Sequence, residues 1–110
     1  MRITIFAACL LWAVTASAQM ATGNHLLQGL NLRNAYGEGF SQGYMSGVVD
    51  TARVFLSTSG KWACLPAGVK YPQIWAVVEK YVRDHPGRWH DSALELVLDA
   101  SKEAWPCKDN

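Results

Sequence analysis

The chain has 110 residues, of which half are hydrophobic and 17% are charged. This composition excludes a disordered chain, because disorder requires low hydrophobicity and high net charge. Ten Lys and Arg against nine Asp and Glu give a formal charge of +1, and no two basic residues are adjacent. The basic patch of a nucleic-acid-binding protein is therefore missing, and we expect no nucleic-acid partner. Length and composition together predict one small globular domain.

The first eighteen residues have the pattern of a secretory signal peptide. Residues 3–18 carry no charge and end in Ala16-Ser17-Ala18, the small-x-small pattern that signal peptidase accepts. The stretch is shorter than the roughly 20 apolar residues of a membrane span. We therefore expect cleavage before Gln19 and a mature periplasmic chain, 19–110, with no membrane contact after cleavage. Lipid attachment at Cys9 is the alternative, although only eight residues precede that cysteine.

Two cysteines, Cys64 and Cys107, remain after this cleavage. An even number of cysteines in an oxidising compartment predicts one disulfide. Closing a loop of some 44 residues would stabilise the fold by roughly 4 kcal/mol. The alternative is a catalytic thiol activated by a His base, which would leave the other cysteine without a partner.

Hydrophobic spacing predicts an all-α fold, a small domain of about four helices joined by the Cys64–Cys107 disulfide. The predicted helices cover 22–30, 36–56, a segment from Pro72 to the break at His85-Pro86, and a segment from Ser92 to the stop at Pro106. Ser92 and Glu95 have the spacing of a capping box. The expected inner faces of the last two helices are Ile74, Val77, Val78, Tyr81 and Val82, and then Leu94, Val97, Leu98, Ser101 and Trp105.

The long second helix carries an apolar set and a glycine stripe. The apolar set, with a spacing near four, predicts the buried face and contains Tyr36, Phe40, Tyr44, Val48 and Phe55, with Met45, Val49 and Ala52 beside them. The stripe consists of Gly39, Gly43 and Gly47. Each of these glycines costs about 1 kcal/mol relative to Ala inside a helix. We therefore expect another backbone to pack closely against the stripe, with a bound ligand as the alternative.

Catalytic and metal-binding patterns are weak. His25, His85 and His90 have no H-E-x-x-H or C-x-x-C partner, and no nucleophile elbow, P-loop or dinucleotide fingerprint is present. We expect His85 to close the third helix and His90 to precede the fourth. Asp50 is predicted to make a structural hydrogen bond or an ion pair with Arg53 rather than to act as an acid or base. The sequence therefore predicts no enzyme activity, no metal and no cofactor.

A block in the second helix resembles the F-x-x-G-Y-x-x-G-v-x-D signature of the Rap/Tai immunity proteins. It reads Phe40-Ser41-Gln42-Gly43-Tyr44-Met45-Ser46-Gly47-Val48-Val49-Asp50. Further similar residues follow the family's order along nearly the whole mature chain, namely Gly23-Asn24, Leu26-Leu27, Cys64-Leu65-Pro66-Ala67-Gly68-Val69, Gln73, Lys80-Tyr81-Val82-Arg83-Asp84-His85-Pro86 and Ala104-Trp105-Pro106-Cys107.

The resemblance implies a periplasmic immunity protein over residues 19–110 that forms homodimers. Its expected partner is a cognate peptidoglycan amidase, an effector of type VI secretion, which it binds and inhibits to protect the producing cell. Family members often carry two cysteines where this chain has Gly29 and Ser41, and a threonine where it has Lys70, whose loss removes an N-cap worth about 1 kcal/mol. The alternative function is a general periplasmic binding or chaperone module on the same scaffold.

The effector-binding residues are predicted in two places. They are Ser57, Ser59, Lys61 and Trp62 in the first, and Arg88 and Trp89 in the second. Both places combine a cation with tryptophan, and tryptophan and arginine are enriched among interface hot spots. The disulfide at Cys64 would hold the base of the first segment in place. The alternative is that Trp62 folds over the core.

Overall fold

The computed structural model describes residues 20–56 and 62–108 and contains four helices. These are α1 (Gly23–Asn31), α2 (Ala35–Phe55), α3 (Tyr71–Asp84) and α4 (Ala93–Ala104), with a 3₁₀ turn (Pro86–Arg88) between the last two. Extended pairing within these ranges is limited to one isolated antiparallel bridge between Thr22 and Ser92. The predicted all-α fold is confirmed. None of the helices described is long and apolar enough to cross a membrane, and the predicted signal peptide lies outside the described residues.

Each of the four helices contributes one face to a single core. The buried apolar side chains are Leu26 and Leu27 of α1, Met45, Val49 and Ala52 of α2, Ile74, Val78 and Val82 of α3, and Ala93, Leu96, Val97 and Ala100 of α4. The predicted inner face of α3 is confirmed, since Val77 and Tyr81 flank its buried row as half-buried residues. A bundle of this kind positions its loops and its outward faces on a rigid base.

The buried face of α2 differs from the prediction. Met45 and Val49 are fully buried, whereas Tyr36 is 85% exposed, Phe55 is 70% exposed and Phe40 is 47% exposed. The reason is geometric, because a spacing of four residues advances about 40° around a helix of 3.6 residues per turn. Over a helix as long as α2, residues spaced by four therefore start on the side that faces away from the core and end beside the buried row.

The expected close packing against the glycine stripe does not occur within the described part of the chain. A Cβ built at Gly39, Gly43 or Gly47 would meet no atom within 4 Å. The close approach lies instead where α1 meets α2, because a Cβ at Gly29 would lie 2.6 Å from the Gly37 carbonyl oxygen. The reciprocal Cβ at Gly37 would lie 2.7 Å from the Gly29 carbonyl oxygen. Glycine at these two positions therefore allows the backbones of α1 and α2 to touch.

Gly29 also faces Ser41, whose side chain would overlap an added Cβ. These are the two positions where the family resemblance places an optional cysteine pair, and the structure brings them together. The buried Ser41 hydroxyl donates a hydrogen bond to the Leu26 carbonyl, 2.8 Å away, and so links the two helices without a covalent bond. Between the helices, Arg33 adopts a left-handed backbone with φ of 45°.

The start of α4 is held differently from the prediction. Ser92 is the N-cap residue, but its side chain makes no capping hydrogen bond. The Ala93 N–H instead donates to the Ala21 carbonyl, 2.7 Å away. The buried face of α4 is centred on Ala93, Leu96, Val97 and Ala100, about a quarter turn from the predicted face. As a result Leu94, predicted to face inward, is exposed.

The ends of α3 agree with the sequence-based expectation. No side-chain cap is present at Lys70, but its backbone N–H donates to the Gln73 side-chain oxygen at 2.8 Å. His85 is the C-cap residue, as predicted. Its imidazole Nδ1 lies 2.6 Å from the Tyr81 carbonyl oxygen, and its ring stacks on the Tyr81 ring with centroids 4.1 Å apart.

Candidate functional site

The predicted disulfide joins Cys64 to Cys107, whose Cα atoms are 5.0 Å apart. Beside it, the Cys64 N–H donates to the Trp105 carbonyl at 2.8 Å. Two bonds, one covalent, therefore hold the segment before α3 against the end of α4. Both sulfur atoms are consumed, so neither cysteine of the described ranges offers the free thiol that the catalytic alternative requires.

The first predicted binding segment is described only at its last residue. Ser57, Ser59 and Lys61 lie outside the described residues. Trp62 is half-buried and packs against the core cluster. It also lines a cleft of about 480 Å³ together with Arg53 and the segment 63–67. The indole therefore contacts the core and also borders open space, as a partly exposed anchor would.

Arg88, in the second predicted binding region, makes hydrogen bonds to residues of its own chain. Its Nε donates to Asp91 at 2.8 Å, and its Nη1 donates to Asp99 at 3.0 Å and to the Tyr81 hydroxyl at 2.7 Å. The hydrogen bonds to Asp91 and then Asp99 raise the pKa of Arg88 above its ordinary value. The guanidinium carbon also lies 5.9 Å from the Tyr81 ring centroid. Arg88 thus links the turn after α3 to both α3 and α4.

Trp89 is held beside Arg88 by similar intramolecular contacts. Its indole N–H donates to the Val82 carbonyl at 2.6 Å, and its own carbonyl accepts from the Asn24 N–H at 2.9 Å. The half-buried ring packs against the core. The structure brings Arg88 and Trp89 together, whereas neither lines the cleft beside Trp62. Effector contact by these residues stays a prediction.

The polar residues weighed as catalytic groups have structural partners. Both carboxylate oxygens of the exposed Asp50 accept from the Tyr71 hydroxyl, at 2.8 and 2.9 Å. This hydrogen bond raises the pKa of Tyr71, with smaller contributions from desolvation and from the Asp50 charge. The expected structural hydrogen bond of Asp50 is therefore confirmed. At the start of α1, the Thr22 N–H donates to His25 Nδ1 at 3.0 Å.

Metal-ligating residues do not cluster in the part of the chain that the structure describes. No group of three or more His, Cys, Asp or Glu side chains there could hold a metal ion.

An exposed surface that the sequence pattern did not predict lies on α2, and we call it the α2 outer face. It is the side of α2 opposite the buried Met45 and Val49, and it consists of Tyr36, Gly39, Phe40, Gly43, Gly47, Asp50, Thr51 and Val54. Asp50 is its only charged residue. Next to it, a groove of about 260 Å³ between α1 and α2 is lined by His25, Leu32, Tyr36 and Phe40, among others. The available signal was the three-residue and four-residue spacing of these positions on one helix side.

A disulfide-closed helical bundle with an apolar outward face and a tryptophan-lined cleft has the features of a small binding protein. Over residues 22–107 the chain matches the family of Rap1a immunity proteins, and it belongs to that family. An immunity protein binds and neutralises a secreted effector. No curated protein and no solved structure matches the chain.

Proposed function

We propose that this protein inhibits a peptidoglycan amidase effector of type VI secretion in the periplasm and has no enzymatic activity of its own. The family match over residues 22–107 carries the proposal, because it supports neutralisation of a secreted effector. The amidase target is supported by the Rap/Tai resemblance, and the periplasm by the signal-peptide pattern of residues 1–18. The same resemblance supports a homodimer.

Segment 57–62 is the proposed main contact with the amidase. The segment follows α2 directly, and the disulfide at Cys64 ties the chain just beyond it to the end of α4. Binding costs free energy for every side chain that it orders, so a contact mounted on a fixed base binds more tightly. Lys61 and Trp62 would supply a cation and an aromatic anchor, with Arg88 and Trp89 as the second proposed contact.

Protection of living cells tests the proposed target. An amidase with a signal peptide is produced in cells that carry either this protein, the same protein without residues 1–18, or an empty vector. We expect lysis in the second and third cultures and survival only in the first. Survival without residues 1–18 would contradict periplasmic action. Lysis in all three cultures, together with suppressed aggregation of unrelated unfolded proteins, would support the alternative of a general chaperone module.

Two substitutions test the proposed contact. We expect Lys61→Ala and Trp62→Ala each to weaken amidase binding more than about tenfold, which corresponds to about 1.4 kcal/mol. Lys102→Ala, an exposed lysine on α4, is the matched control and should bind like the wild type. Trp62 also contacts the core, so Trp62→Ala removes packing as well as binding surface. Trp62→Phe keeps an aromatic ring against the core and removes the indole N–H, so it separates packing from hydrogen bonding. If Lys61→Ala and Trp62→Ala both stay within tenfold of wild type, the segment does not carry the contact.

A further inference from the structure

A polar cleft lies where the end of α1, the first half of α2 and the end of α3 meet, and we call it the three-helix cleft. Its volume is about 460 Å³, which falls within the range of about 300–1,000 Å³ that small-molecule sites occupy. Apart from Leu30, its lining residues are polar or charged, namely Asn31, Arg33, Glu38, Gln42, Glu79 and Arg83. The three-helix cleft contains none of the residues proposed to contact the amidase.

One wall of the three-helix cleft is held in place by hydrogen bonds. Arg83 donates to Glu79 Oε1 through Nε at 3.0 Å and through Nη2 at 2.9 Å. The same Nη2 donates to the Asn31 side-chain oxygen at 2.9 Å, so this network joins α3 to the end of α1. Within the described residues, Nη1 of Arg83 and Oε2 of Glu79 have no partner. The wall therefore presents unused donors beside an unused acceptor.

Two further lining residues carry opposite charges that no ion pair neutralises in the part of the chain that the structure describes. They are the exposed Arg33 and the half-buried Glu38, and they do not pair with each other either. A ligand that carries one anionic and one cationic group would complement both of these charges. A ligand with a single charge would complement only one of them.

Arg33 stands at a backbone position that favours glycine. It follows Leu32, the C-cap residue of α1, and its φ is 45°. This left-handed conformation costs a residue with a side chain about 1–2 kcal/mol, and glycine avoids that cost. Strained positions of this kind cluster at ligand-binding sites, where the strain is offset by function. The arginine therefore indicates a use for its guanidinium other than folding.

We propose that the three-helix cleft binds a small zwitterion, which is an amino acid or a short peptide with a free ammonium group and a free carboxylate. The ligand carboxylate accepts hydrogen bonds from Arg33 and from Nη1 of Arg83. The ligand ammonium donates to the Glu38 carboxylate and to Oε2 of Glu79. Charge-assisted hydrogen bonds of this kind are stronger than neutral ones, so both charged groups of the ligand contribute to affinity.

Blocked peptides test the two charges separately. The purified protein is titrated with alanyl-alanine up to about 10 mM, and binding is followed by ¹H–¹⁵N chemical shifts. We expect saturable shifts around Arg33, Glu38 and Arg83. N-acetyl-alanyl-alanine lacks the ammonium and alanyl-alanine amide lacks the carboxylate, so each should bind at least about tenfold more weakly. Free alanine is titrated in parallel, and the tighter of the two unblocked ligands identifies the source as an amino acid or a peptide.

Two substitutions assign the contacts. Arg33→Gly should weaken alanyl-alanine binding at least about tenfold without lowering Tm, because it removes the guanidinium and suits the left-handed backbone. It should also reduce the preference for alanyl-alanine over its amide. Glu38→Gln should instead reduce the preference over the N-acetylated form. Arg53→Ala removes an arginine outside the three-helix cleft and is the matched control, which should bind like the wild type.

Three results would overturn the proposal. They are the absence of saturable shifts with both unblocked ligands, equal binding of the blocked peptides, and wild-type affinity in Arg33→Gly. No step of the test requires an amidase, so its outcome is independent of the proposed function.

Discussion

Replacing one glycine in each of two helices by alanine should change stability in opposite directions. Gly29→Ala places a Cβ 2.6 Å from the Gly37 carbonyl oxygen, a backbone atom that cannot rotate away. Overpacking of this kind costs about 1–3 kcal/mol, and here the larger figure applies because the Ser41 side chain is overlapped as well. The better helix propensity of alanine returns about 1 kcal/mol. We therefore expect a net loss of about 2 kcal/mol for Gly29→Ala.

Gly39→Ala is the matched control, since its Cβ meets no atom within 4 Å. It should gain about 0.5–1 kcal/mol from reduced backbone entropy in the unfolded chain. Thermal unfolding followed by circular dichroism at low protein concentration should show Tm lower by about 10 °C for Gly29→Ala and higher by about 4 °C for Gly39→Ala.

A third variant separates the two overlaps at Gly29. Ser41→Gly alone should destabilise, because it removes the hydrogen bond to the Leu26 carbonyl and adds a glycine inside α2. Since it also removes the overlapped side chain, Gly29→Ala should cost less in the Ser41→Gly background than in the wild type. A cost should remain there, because the Gly37 carbonyl is still in place. Unchanged stability of Gly29→Ala, or destabilisation by Gly39→Ala, would refute the packing that we describe between α1 and α2.

Three further predictions concern the bonds that close the fold. The processed chain should contain no titratable thiol in denaturant, and reduction should cost roughly 4 kcal/mol; about two reactive groups per chain would contradict the disulfide. Arg88→Met should destabilise by about 1 kcal/mol, and by less at high salt, because the bonds to Asp91 and Asp99 are partly exposed; urea unfolding with and without salt measures this. Tyr71 has a raised pKa, so the stability from its bond to Asp50 is fully present below about pH 10 and is lost as pH rises through the raised pKa. Tyr71→Phe should therefore be less stable than wild type at pH 8 and converge with it at strongly alkaline pH.

The disulfide and the face of α3 could be predicted because each rests on a local signal that nothing contradicts. Two cysteines allow only one pairing. In α3, the apolar Ile74, Val78 and Val82 lie on one side of the helix, and charged residues lie on the opposite side. The second helix was harder, because it is apolar on two sides. Met45 and Val49 point to the core while Tyr36 and Phe40 point outward, and hydrophobicity does not distinguish them.

The glycines show why close packing could not be assigned from spacing. Three glycines at regular intervals have open space above them, whereas Gly29 and Gly37, eight residues apart across a turn, touch each other's carbonyls. Their contact depends on the path that the chain takes through Arg33, which is a property of the assembled fold. The binding residues were harder still, because Trp62 and Trp89 are both half-buried and each of them both packs against the core and lines a cleft. Burial alone therefore does not distinguish a binding residue from a core residue.

Bonds between residues far apart in the sequence hold the chain on both sides of α4. The Gly23 and Asn24 N–H groups donate to the carbonyls of Asp91 and Trp89, and Cys64 pairs with Cys107. A chain that is still being synthesised presents α1 and α2 before the residues that these bonds require, so the bonds form only after those residues have been made. The covalent closure of the bundle therefore waits for Cys107, whereas α1 and α2 can pack against each other as soon as both have been made.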